Sequence, residues 1–166
     1  MNTLAKLLAA VAVLVVVTAG WRELVGAPVP KGAGEGDPLP AGSGWAGKLT
    51  QKGGGPTEFD CEFKITKRDG EKFEAELHAK GGELELTYLV RGTLELVDLK
   101  NKEMGYKIAF KSYDAKDVKN AGAILGVSYD ATLEGKKIKG MWKAPNDSPF
   151  RDLNGEFEFE PAKKRD

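Results

Sequence analysis

Residues 129–142 read Tyr-Asp-Ala-Thr-Leu-Glu-Gly-Lys-Lys-Ile-Lys-Gly-Met-Trp, with core-type residues at every second position on both sides of a Gly-Lys pair. Period two is strand geometry, and glycine at a two-residue reversal is hairpin chemistry. With Gly135 and Lys136 as the loop, counting outward sets Leu133 opposite Ile138, Ala131 opposite Gly140 and Tyr129 opposite Trp142, all on one face. A slip by one residue would send each of these side chains to the other face, so the register is strongly specified. A chain with this hairpin is committed to antiparallel sheet.

The same pattern recurs through the chain and predicts eight strands. Strand one covers 45–51, with Trp45, Gly47 and Leu49 on one face, and the run Gly53-Gly54-Gly55-Pro56 ends it. Strand two covers 57–67, with Phe59, Cys61, Phe63 and Ile65 inward and Glu58, Asp60, Glu62 and Lys64 outward. A three-residue loop of Arg68, Asp69 and Gly70 keeps core residues facing each other and sets Ile65 opposite Phe73. Strand three, 71–80, turns inward Phe73, Ala75, Leu77 and Ala79. A turn at Gly81-Gly82 then pairs Ala79 with Leu84, Leu77 with Leu86, Ala75 with Tyr88 and Phe73 with Val90, and places His78 outside, opposite Glu85.

Parity continues past Gly92 through Leu94 and Leu96, so strand four is one long bent strand ending near Leu99, and Asn101 and Lys102 begin the next reversal. Strand five covers 106–112, with Ile108 and Phe110 inward. Alternation lapses over 113–122, where Asp114 caps one or two helical turns or the chain makes a plain surface connection. Strand six is expected over 123–133, strand seven over 137–143, an irregular Pro-containing loop over 144–152, and strand eight over 153–160.

Eight strands with one apolar and one charged face predict an all-β, eight-stranded antiparallel up-and-down barrel over 45–160, because closure removes the edges an open sheet would expose. A transmembrane barrel needs an apolar outer band. Here the outward positions carry Glu, Lys, Asp and Thr.

The ends of the chain are of other composition. Residues 1–20 carry Lys6 and then an almost uninterrupted apolar run, with Val17-Thr18-Ala19 at a cleavage-type site. The run is shorter than the ~20 residues of a span and fits a secretory signal peptide. The alternative is a retained membrane anchor, with membrane contact only through residues 4–19. Residues 21–44 are rich in Gly, Pro and Ala and read as a flexible tether, and 161–166 form a charged tail. The expected location is therefore the periplasm or the extracellular space.

The 25 basic and 25 acidic residues balance and give no nucleic-acid footprint. Cys61 is the sole cysteine, so no internal disulfide forms, and its place in an inward row marks a buried small hydrophobe. The single histidine and the outward carboxylates assemble no acid–base pair and no ligand set, so the reading is not an enzyme, with no metal and no cofactor.

The segment Tyr129-x-Ala131-x-Leu133-x-Gly135-x-x-Ile138-x-Gly140-x-Trp142, with Trp45-x-Gly47 at the opening, resembles the calycin group, especially avidin-like and bacterial lipocalin-like barrels. The resemblance implies an eight-stranded barrel with a ligand-holding mouth. Biotin-binding members place Asn and Ser soon after the first-strand Trp, whereas Ala46, Gly47 and Lys48 follow here, which argues against biotin. A small apolar or amphipathic molecule near Trp45, Tyr88, Tyr129 and Trp142 is the first functional expectation. The second is a structural or interaction module of the cell envelope, with a filled barrel and an exposed apolar patch near Phe150 or Val118. If the leader is removed after Ala19, the intact mass of the exported protein corresponds to a chain starting at Gly20; a mass that includes residues 1–19 identifies an anchor instead.

Overall fold

The computed structural model describes residues 36–53, 57–99, 104–119 and 122–163. The expected leader, residues 21–35 of the expected tether, the reversal at Asn101 and Lys102, and residues 164–166 of the tail lie outside the described residues. The described chain forms β1 (Gly44–Thr50), β2 (Glu58–Asp69), β3 (Lys72–Gly81), β4 (Leu84–Asp98), β5 (Met104–Lys119), β6 (Ser128–Glu134), β7 (Lys137–Lys143) and β8 (Asn154–Pro161). Each strand pairs antiparallel with its neighbours in sequence, and β1 pairs with β8 to close an eight-stranded barrel.

The β6–β7 hairpin has the register its alternation predicts, with Leu133 opposite Ile138, Ala131 opposite Gly140 and Tyr129 opposite Trp142. The inward rows of β1, β2 and β3 also lie where period two puts them: Phe59, Cys61, Phe63, Ile65, Phe73, Ala75, Leu77 and Ala79 are all buried.

Several expectations of register and strand bounds differ from the structure, and β-bulges or a displaced glycine turn explain most of the differences. The β2–β3 reversal is a two-residue turn at Gly70-Glu71, with Gly70 at φ 55°, and the ladder shifts between Ile65 and Lys67, leaving Thr66 unpaired. The bulge restores parity that the expected three-residue loop was to supply, and Ile65 faces Ala75, not Phe73.

The β3–β4 turn is one residue later than expected. Gly81 stays in the strand, where a Cβ would meet the Phe59 ring at 2.7 Å, and Gly82, at φ 59°, takes the turn. Ala79 therefore faces Leu86, Leu77 faces Tyr88, Ala75 faces Val90 and Phe73 faces Gly92, while His78 faces Thr87 with Glu85 diagonal to it.

No helical turn follows Asp114: β5 runs on to Lys119. Two register shifts against β4 absorb the lapse in alternation, one passing Tyr113 and one near Asp117, whose φ is 54°. Strand six begins at Ser128 and not at Ala123, because Gly126 turns the chain at φ 81°.

The interior is a continuous cluster of rings. Phe110 stacks on Tyr129 at 4.5 Å and on Phe63 at 5.2 Å, Phe63 meets Phe159 at 6.0 Å, and Phe157 meets Phe159 at 5.0 Å. Two inward glycines allow close approach, Gly92 to the rings and Gly140 to the neighbouring strand. A Cβ on Gly92 would strike the Phe73 and Phe110 side chains, and one on Gly140 would strike Ala131 and the Asp130 carbonyl.

The barrel has an upper end, bearing the β1–β2, β3–β4, β5–β6 and β7–β8 connections, and a lower end, where the chain enters. The packed unit starts before Trp45. Within the segment read from composition as a tether, Leu39 is 0% exposed. Gly42 N–H donates to the Ile65 carbonyl at 2.8 Å, and Ile65 N–H donates to the Ser43 carbonyl at 3.0 Å, so residues 36–43 lie along the lower end of β2.

Leu39→Ala is expected to lower stability by about 3 kcal/mol and Gly140→Val by about 2 kcal/mol or more, the first through a cavity and the second through overpacking. Urea unfolding midpoints check both.

Candidate functional site

The four residues singled out for a barrel mouth do not meet at one end. Trp45 lies at the lower end of β1, opposite Phe63 and Pro161. Trp142 lies near the upper end of β7 and donates its Nε1–H to the carbonyl of Thr50, the last residue of β1, at 2.7 Å. Tyr129 faces Trp142 across the hairpin and is buried against Phe110 and Phe157. Tyr88 is half-buried, and its hydroxyl accepts the Ile124 N–H at 3.2 Å, which ties the β5–β6 connection to the upper end. Three aromatics are thus gathered in the upper half, and Trp45 stands apart.

Burial governs the chemistry of the interior. It pushes the Cys61 thiol up to about 12, with the Asp60 charge adding to the effect, and it pushes Tyr129 well above the usual phenol range. Both groups are neutral at ordinary pH. A thiol held this way is a packing group and not a nucleophile.

The lower end holds polar groups that alternation did not reveal. Arg68 turns inward beyond the Thr66 bulge, with its side chain 14% exposed and Nε 3.4 Å from Asp37 Oδ2. The contact is close enough for an ion pair but is not aligned as a hydrogen bond. Toward the upper end, Ser112 on β5 is also buried, and its Oγ accepts the Val127 N–H at 3.0 Å. Period two marks Arg68 as inward only after the Thr66 bulge is known, whereas Ser112 simply continues the inward parity of Ile108 and Phe110.

Outside the wall, the structure forms two open hollows that join at Arg91, Gly92 and Thr93. One, of about 400 Å³, reaches toward Lys67, Asp69 and Lys72. The other, of about 370 Å³, lies over Ala109 toward Ser128 and Asp130. Elsewhere the exterior is laced by ion pairs, such as Lys48 to Glu58 at 2.6 Å and Lys139 to Glu158 at 3.0 Å.

His78 belongs to this exterior, with Nδ1 3.1 Å from Thr87 Oγ1 and Nε2 3.6 Å from Glu85 Oε1. No group of three or more metal-ligating side chains forms among the described residues. The exposed large apolar residues include Val118, Leu125 and Phe150, which all lie toward the upper end, on β5 or in the connections, with Phe150 50% exposed.

Comparison with known proteins finds no family, no curated protein and no solved structure that matches the chain.

The shifts of Cys61 and Tyr129 set an alkaline dependence. Each group binds its proton more tightly folded than unfolded, so its contribution to stability is complete below about pH 9 and is lost as the pH rises toward 12. The urea midpoint is expected to fall across that window, and less steeply in Cys61→Ala. The native thiol should also stay unreactive to a disulfide reagent at pH 8, becoming reactive only on unfolding.

Proposed function

We propose that this chain is an exported, calycin-like barrel that acts through its exterior, as a structural or protein-interaction module of the cell envelope. The observation that carries the reading is the unbroken ring contact through the interior, from Phe159 through Phe63 and Phe110 to Tyr129 and Phe157. Space occupied by six or so interlocked rings is not available to a ligand of ordinary size, which needs a hollow of roughly 300 Å³ or more. The apolar side chains of Leu125 and Phe150, presented to solvent by upper-end connections, give the exterior a surface of the kind that partners cover. Export rests on the leader-like residues 1–20.

The second reading keeps a small apolar ligand at the upper mouth. It is favoured by the half-buried Tyr88, held to the β5–β6 connection by a single hydrogen bond that a guest could displace.

A photo-crosslinking residue at position 150 is expected to give a discrete protein adduct in the cells that make the protein, and one at position 134, on the β6–β7 end, is expected to give none. Native mass spectrometry of the same material should show the bare chain. A stoichiometric small molecule, released by unfolding, would replace this reading with the second.

A further inference from the structure

The outer wall is assembled from opposed charges. Directly across the ladders, Lys48 faces Asp60, Lys64 faces Glu76, Glu95 faces Lys107, and Lys139 faces Glu158. Among the described residues one directly opposed pair breaks the rule: Arg91 on β4 faces Lys111 on β5, both outward. Like charges set opposite each other destabilise a sheet. The exception stands where the two outer hollows join, above Ala109 and Gly92.

Arg91 is held ready at this place. Its Nε lies 3.4 Å from Glu74 Oε1, and its guanidinium carbon lies 4.0 Å above the centre of the Tyr113 ring. Both contacts restrict the side chain, and the guanidinium keeps further N–H donors in a fixed fork. Lys111 adds a second cation across the ladder, and the hydroxyl residues Thr93 and Ser128 line the hollow beside them. Asp130 stands on the far rim, opposite Ala109, and opposes an anion placed there. Charge-assisted donors therefore concentrate at the Arg91–Lys111 edge.

We infer that this edge is a binding site for a phosphate-type anionic group, whose several oxygens take the guanidinium fork, the ammonium and a hydroxyl together, and whose charge relieves the repulsion within the pair. The site does not depend on what fills the barrel or on what covers Phe150. The group itself is either free in solution or carried on a lipid headgroup.

Titration of the full mature chain with inorganic phosphate at constant ionic strength, chloride being the ion replaced, is expected to shift backbone amide resonances at 91–93, 109–111 and 128–130. Arg91→Gln and Lys111→Gln should each weaken the response about tenfold, the scale of one charged hydrogen bond. Asp130→Asn should strengthen it. In chloride alone, Lys111→Gln should melt at or above the wild-type temperature, since it removes a like charge.

Vesicles of phosphatidylglycerol and phosphatidylcholine locate the source. Sedimentation with them that is lost in Arg91→Gln and Lys111→Gln, and absent with phosphatidylcholine alone, assigns a headgroup. A phosphate response without sedimentation assigns a soluble phosphate. The inference is overturned by a wild-type response equal to that of chloride, by variants that respond as the wild type does, or by a Lys111→Gln protein that melts lower.

Discussion

Closure of the sheet rests on two residues that have no side chain. At the β1–β8 seam, a Cβ on Gly47 would run into the Glu158 carbonyl, and one on Gly155 into the carbonyl of Thr50 and the Trp142 indole. These close approaches let the first and last strands pair from Trp45–Pro161 to Leu49–Phe157. Above them, Lys52 N–H reaches the Asn154 carbonyl at 2.7 Å. Pairing at the seam removes both edges of an eight-stranded sheet, and only a closed sheet turns all its inward rows upon one another.

Once the wall is closed, its diameter decides what the inside can be. A barrel of eight strands holds either its own side chains or one small guest. Here the inward Gly92 admits the side chains of Phe73 and Phe110, and Phe63, Phe110, Phe157 and Phe159 meet in the interior. The lower end is packed as well, with Leu39 buried and Arg68 turned inward beside Asp37. The exterior carries cross-strand ion pairs, the Arg91–Lys111 edge over the outer hollows, and the apolar connections around Leu125 and Phe150, the features on which the proposed surface role rests.

Strand number, barrel closure and most of the inward rows were legible in the sequence, because a face buried along its whole length writes its period into the chain. The residues 129–142 carried their full register for that reason. Registers across β2–β3 and β3–β4 were not legible. Thr66 and the choice between Gly81 and Gly82 shift the ladder without changing which residues face in, so alternation is blind to them. The stretch after Asp114 looked unlike a strand because bulges near Tyr113 and Asp117 interrupt its period, and only pairing with β4 shows it to be one. Of the candidate site, the burial of Trp45, Tyr129 and Trp142 followed from parity. Their separation between two ends did not, since parity gives the face and not the height. The Arg91–Lys111 pair was hidden for a related cause: it exists only once the long β4–β5 ladder is aligned.

The closed, solid barrel is tested most directly by native-state hydrogen exchange at the seam. The account predicts that the paired amides of β1 and β8 between 45 and 49 and between 157 and 160 exchange as slowly as those of the β6–β7 hairpin, through the same global opening. Seam amides that exchange orders of magnitude faster than the hairpin, by a local opening of their own, would contradict it.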